Sequence, residues 1–173
     1  MADAIFHDVK QKYGPIGRVL DLLTRAFAIG GGITLTAMSF MSVGSVAGRA
    51  LFSKPILGDY ELVQVMSAVA VAMSLPFCQM IRGHVIVDFF TMRAPKSVNR
   101  GLDLIANLLL AIAGFVIAWR LGLGMLELRG NGDASMLLNF PTWIGYAPMV
   151  PSFFLLGCAA LYSAYEDFTG ARP

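Results

Sequence analysis

Residues 26–48 read AFAIGGGITLTAMSFMSVGSVAG, twenty-three positions without a charged side chain, bracketed by Arg25 and Arg49. A helix needs about 20 apolar residues to cross a hydrocarbon core of about 30 Å. Backbone groups in that core have no water to bond, so the segment must satisfy its own hydrogen bonds, which a helix does. The run predicts a transmembrane helix over 26–48.

Three more runs resemble it. Leu62 to Ile81 is charge-free and interrupted only by Gln64, Pro76 and Gln79. Leu104 to Trp119 is short and reaches spanning length only by continuing past Arg120 toward Leu126, with that arginine expected to snorkel to the headgroups. Trp143 to Tyr165 carries Pro148 and Pro151 near its start. The expected fold is an all-α integral membrane protein with four transmembrane helices over about 26–48, 62–81, 104–126 and 143–165. The membrane domain, 26–165, lies between a segment 1–25 and a tail 166–173.

Composition agrees. Of 173 residues, 57% are hydrophobic and 14% charged, whereas soluble domains carry roughly 25% charged residues. A net charge of +2, scattered along the chain, does not suggest nucleic-acid binding. Cys78 and Cys158 sit in separate apolar runs with no CxxC spacing. They read as small core residues.

Lysine and arginine placement sets the expected orientation. Lys10, Lys12, Arg18 and Arg25 precede the first span. Arg82, Arg93, Lys96 and Arg100 lie between the second and third, and Arg172 lies in the tail, so nine of the 13 fall on one side. Arg49, Lys54, Arg120 and Arg129 fall on the other. Both termini are expected in the cytoplasm. Within 1–25, Ile16, Val19, Leu20 and Leu23, with Phe27 beyond, recur at helical spacing, while Arg18, Asp21 and Arg25 take the opposite face. Gly14-Pro15 is a helix-start signal. This predicts an amphipathic helix in the cytoplasmic interface; the plainer alternative is a lead-in to the first span. A cleavable signal peptide is not expected, because no small-residue cleavage site follows a short apolar core.

Arg82, His84 and Asp88 crowd into the exit of the second span, with His84 and Asp88 one helical turn apart. A metal site usually takes three or four protein ligands, and no cysteine or second histidine stands at ligand spacing. Two readings remain: a charge and hydrogen-bond cluster tying this loop to a neighbour, and a proton-linked role. Other chemistry finds no support. Both histidines, His7 and His84, lie outside the spans, against a membrane haem. Cys78 and His84 would stand about 240° apart on a helix, too far round for a nucleophile–base pair. No phosphate-binding loop or nucleophile elbow is present, so no catalytic residue, cofactor or metal is expected. Nor does an acidic residue occupy the middle of a span, where a self-sufficient ion-coupled transporter would carry one. Gly44 and Gly48 form a GxxxG suited to close helix packing, within the chain or between chains.

Three stretches carry a family resemblance: GRALFSKPILGDYELVQ (48–64), IRGHVIVDFF (81–90) and LRGNGDASMLLNFPTWIGYAPMVPSFF (128–154). With four spans, in this order, the chain resembles over about residues 20–165 the small, DctQ-like membrane subunit of tripartite ATP-independent periplasmic (TRAP) transporters. The resemblance implies a small permease subunit bound to a large membrane subunit that moves organic acids with sodium. A periplasmic binding protein delivers the solute, and the small subunit extends the static scaffold of an elevator. It implies a bacterial or archaeal inner membrane, and lipid as the surrounding partner. Arg49, Gly58, Glu61, Arg129, Trp143 and Tyr146 would lie near the periplasmic face and meet the binding protein, although Trp143 and Tyr146 also suit membrane-interface anchors. Arg82, His84 and Asp88 would dock the cytoplasmic loop to the amphipathic helix or to the large subunit. The alternative from another class is a stand-alone homo-oligomer with its own small-solute or proton-linked transport.

Overall fold

The computed structural model describes residues 15–52, 58–81 and 96–169. They form four helices: α1 (Pro15–Phe52), α2 (Asp59–Met80), α3 (Lys96–Asn131) and α4 (Trp143–Thr169). All four are long and apolar enough to cross a membrane.

The ends differ from the expected spans for a physical reason. Charged residues end a lipid-exposed stretch without ending a helix, because arginine and lysine are good helix formers. So α1 has 38 residues and begins eleven positions before Ala26, while α3 has 36 and runs on to Asn131. At 1.5 Å per residue they are about 57 and 54 Å long, well beyond the hydrocarbon core. The segment expected as an interfacial helix is the beginning of α1, with no break between the two. Helix α2, with 22 residues, is about 33 Å long and barely spans. It starts at Gly58, whose φ of 75° is left-handed and suits a residue without a side chain. Asp59 and Glu61 in its first turn complement the helix dipole.

The helices pack in a row. Helix α1 lies on α2, α2 on α4 and α4 on α3, with slighter contact between α1 and α4. Close approaches give the register. Gly31 meets Ala70, and Ser45 meets Asp59, so α1 and α2 are antiparallel. Gly114 meets Gly157, and Gly122 meets Val150, so α3 and α4 are antiparallel too. Val65 meets Gly145, and Ser152 donates to the Ala72 carbonyl at 2.6 Å, so the two hairpins join through the parallel pair α2 and α4. The core follows this order. Buried residues make up 33% and 22% of the apolar windows of α4 and α2, but only 17% and 6% of those of α3 and α1. The flanking helices turn most of their leucine, isoleucine and valine outward, as a bilayer or another membrane protein requires.

Candidate functional site

One end of the row, where α1 and α3 finish and α2 and α4 begin, is the loop end. Its centre is Asp59. One carboxylate oxygen accepts from the Ser45 hydroxyl at 2.5 Å and lies 3.8 Å from the Arg49 guanidinium; the other accepts from the Tyr60 N–H at 2.7 Å. The connection from α3 to α4 folds onto this end. Ala134 pairs with Pro141, the Ser135 N–H donates to the Phe140 carbonyl at 2.9 Å, and the Thr142 N–H donates to Asp133 at 3.1 Å. The Ser135 hydroxyl donates to Glu61, and Leu138 fills the space where a side chain on Gly58 would stand. Arg129 lies over the Trp143 ring at 5.3 Å, a cation–π contact across the α3–α4 turn. Tyr146 is half-buried just below. The result is a loop surface held in one shape, with Met136 99% exposed at its tip.

The other end carries a buried polar relay. Gln79 Nε2 donates to Asn107 Oδ1 at 2.7 Å, and Asn107 Nδ2 donates to Asp167 Oδ2 at 2.8 Å, tying α2, α3 and α4 together. Beside it, Arg25 Nε donates to Asp21 Oδ2 at 2.7 Å, and the same guanidinium lies 5.7 Å from the centre of the Phe77 ring of α2. Asp21 is 2% exposed, and its Oδ1 has no partner among the described residues. The first turns of α1 thus face Asp21 and Thr24 into the protein and leave Ile16 70% and Val19 59% exposed.

The helix contacts fix the level of Arg120 in the row. Gly114 lies opposite Gly157 and Gly122 opposite Val150, so Arg120 stands at the level of Ser152. Ser152 is bonded to Ala72, the middle of the charge-free run Leu62–Ile81. Arg120 is therefore level with the middle of α2, with α3 continuing eleven residues, about 16 Å, to its loop-end terminus. Helix α3 meets α4 through Ala111, Gly114 and Ala118. Arg120 lies on the opposite face, about 180° to 240° from these at 100° per residue. It is exposed and makes no ion pair or hydrogen bond among the described residues. An arginine at the centre of a bilayer helix costs about 2.5–3.5 kcal/mol on insertion scales.

The structure thus brings Arg49, Gly58 and Glu61 into one surface with Asp59, Ser135 and Leu138, and pairs Arg129 with Trp143. Arg82, His84 and Asp88 lie outside the described residues. Gly44 has nothing within 4 Å of where its Cβ would be, so it makes no close helix contact among the described residues; Gly48 is half-buried. Close packing instead uses Gly31, Gly114, Gly145 and Gly157. The relay joins residues that no single stretch of sequence brings together. Its signal was the presence of Gln79 and Asn107 inside otherwise apolar runs. No group of three or more His, Cys, Asp or Glu among the described residues could hold a metal ion. What the described residues offer is a shaped loop end, a polar lock at the other end, and wide apolar flanks with Arg120 exposed on α3.

Comparison with curated proteins and with solved structures returned no match. Comparison with protein-family profiles matched residues 38–170 to the tripartite ATP-independent periplasmic transporters, DctQ component. The matched segment includes the loop-end surface, all of the relay and all three helices after α1. With more than three quarters of its length matched, this four-helix chain belongs to the DctQ component family of TRAP transporters.

Proposed function

We propose that this chain is the small permease subunit of a sodium-coupled, binding-protein-dependent transporter that takes up organic acids. It acts as scaffold, holding the large transport subunit against its flank. The loop end faces the periplasm and both termini face the cytoplasm, in a bacterial or archaeal inner membrane. The family match carries this reading. The row packing supports it, because the described residues leave broad apolar flanks for a partner and enclose no central path. Arg49, Gly58, Glu61, Arg129, Trp143 and Tyr146 shape the periplasmic surface that meets the binding protein. Arg82, His84 and Asp88 dock the cytoplasmic loop to the start of α1 or to the large subunit, and the first turns of α1 lie at the cytoplasmic interface.

Affinity purification of the tagged chain from native membranes in mild detergent tests the assignment. A large polytopic protein recovered in near-equal amount is the expected result. Recovery of a stable oligomer of this chain alone, with solute transport after reconstitution, would overturn it and establish the stand-alone alternative.

A further inference from the structure

We propose that Arg120 is an intramembrane ion-pair anchor that receives a carboxylate from a membrane-embedded helix of a different protein. The inference rests on the subunit reading above and names the chemistry of its interface. Arg120 stands at the level of Ala72, in the middle of the charge-free run of α2, and is exposed on the face of α3 that points away from α4. It cannot turn back to the relay, because Asn107 is thirteen residues, about 20 Å, along α3. Glu127 is two turns nearer the loop end, and no ion pair joins the two among the described residues.

A permanently charged guanidinium at that depth needs a partner there. Lipid phosphates lie at the bilayer surface, farther from mid-depth than the side chain reaches, so the depth selects a protein acceptor. Among the described residues a second copy of this chain supplies none: Asp21, Asp59, Glu61, Asp103, Glu127, Asp133, Glu166 and Asp167 all lie toward one end or the other. The surrounding face suits a helix. Val116 and Leu123 are exposed one turn to either side, and Gly124, with nothing within 4 Å of its Cβ direction, lets a partner backbone come close. The partner is therefore a protein with an Asp or Glu at mid-membrane depth, pairing with Arg120 where the local dielectric is low and the attraction correspondingly strong.

The test is quantitative co-purification of the tagged full-length chain from its native membranes, comparing wild type with Arg120→Lys, Arg120→Leu and Arg120→Glu. Arg120→Leu should weaken the association roughly thirtyfold or more, the lower end for stranding one member of a buried charge pair, so that the ratio of polytopic partner to tagged chain falls steeply on dilution and washing. Arg120→Glu should abolish recovery and Arg120→Lys should keep most of it. The amount of tagged chain in the membrane should not fall for Arg120→Leu, since leucine inserts more readily. A photo-crosslinking residue at Val116 should capture the partner in intact membranes with Arg120 and lose it with leucine. If Arg120→Leu retains the partner at the wild-type ratio, the anchor is wrong while the subunit reading stands. Loss of bound phospholipid with the partner retained would overturn it in favour of a lipid ligand. If the wild type brings down no polytopic protein, the subunit reading fails, and the anchor with it.

Discussion

Replacing Gly114 by alanine puts one methyl group at the crossing of α3 and α4. It would stand 3.0 Å from the Gly157 nitrogen, 3.2 Å from the Gly157 Cα and 3.2 Å from the Phe153 carbonyl oxygen, where ordinary contacts begin at 3.4 Å. All three atoms are backbone, so relief requires the two helices to part. Overpacking of this kind costs about 1–3 kcal/mol, while alanine in place of a helical glycine returns about 1 kcal/mol. Gly114→Ala should therefore destabilise by about 1 kcal/mol, the middle of that balance. The mirror substitution, Gly157→Ala, meets the Phe115 ring first, at 3.0 to 3.1 Å. A ring can tilt, even one packed edge-on against Phe154 with centroids 5.4 Å apart. It should fall within about 0.5 kcal/mol of wild type, because only side-chain adjustment offsets the propensity gain. SDS titration in mixed micelles, followed by far-ultraviolet circular dichroism, gives both values on one scale. Equal stabilities for the two variants, or a Gly114→Ala protein more stable than wild type, would refute the reading of this crossing as a backbone-limited contact.

Other substitutions probe separate contacts. Ser152→Ala removes the 2.6 Å bond to the Ala72 carbonyl, and the same titration should show a loss of about 0.6 kcal/mol, the average for side-chain bonds between membrane helices. Asn107→Leu removes the bonds to both Gln79 and Asp167 and should cost about 2 kcal/mol; a Gln79→Leu, Asn107→Leu double mutant should cost less than the sum of the single changes, as measured by a double-mutant cycle. Gly58→Ala meets Leu138 and must hold a left-handed φ, the latter alone worth about 1–2 kcal/mol, so adding Leu138→Ala should restore part of the lost stability and not all. Arg49→Gln breaks an exposed pair at 3.8 Å and should change stability by less than about 1 kcal/mol, yet it should weaken capture of the periplasmic binding protein in a surface-plasmon assay if the loop end is its docking face.

The membrane spans were legible because the bilayer imposes one strict rule, the absence of charge over about 20 residues, and a single chain displays it directly. Helix ends were less legible, since Ile16 to Arg25 and Glu127 to Asn131 are helical outside that rule. Contacts between helices were hidden for another reason. They depend on rotation and register, which no single apolar run encodes. Gln79 and Asn107 were visible as odd polar residues, but their bond to each other and to Asp167 spans 28 and 60 positions. The GxxxG of Gly44 and Gly48 matched a packing pattern, yet Gly44 faces open space, while Gly114, four before Ala118, carries the tight crossing. Arg120 looked like the edge of a short span. Only the register of α3 on α4, and of α4 on α2, shows that it stands level with the middle of α2.

The polarity of α1 ties these observations together. Its apolar side points outward along the whole helix, from Ile16 through Ile29, Ile33, Phe40 and Val46 to Leu51. That stripe covers 36 residues, about 54 Å. Membrane helices tilt by up to about 40°, and at that angle a core of about 30 Å accommodates some 39 Å of helix. Roughly ten residues of stripe are left over. At the start of α1 the inward face carries Asp21 and Thr24, and the relay lies close by, so the protein side there is polar and the outward side greasy. A helix leaving the membrane into water would show the reverse. The excess stripe must therefore rest on headgroups or on another protein, and α3 requires a partner at mid-depth by the independent argument of its charge. Both flanks of the row, one by length and one by charge, are shaped for surroundings that this chain alone does not provide.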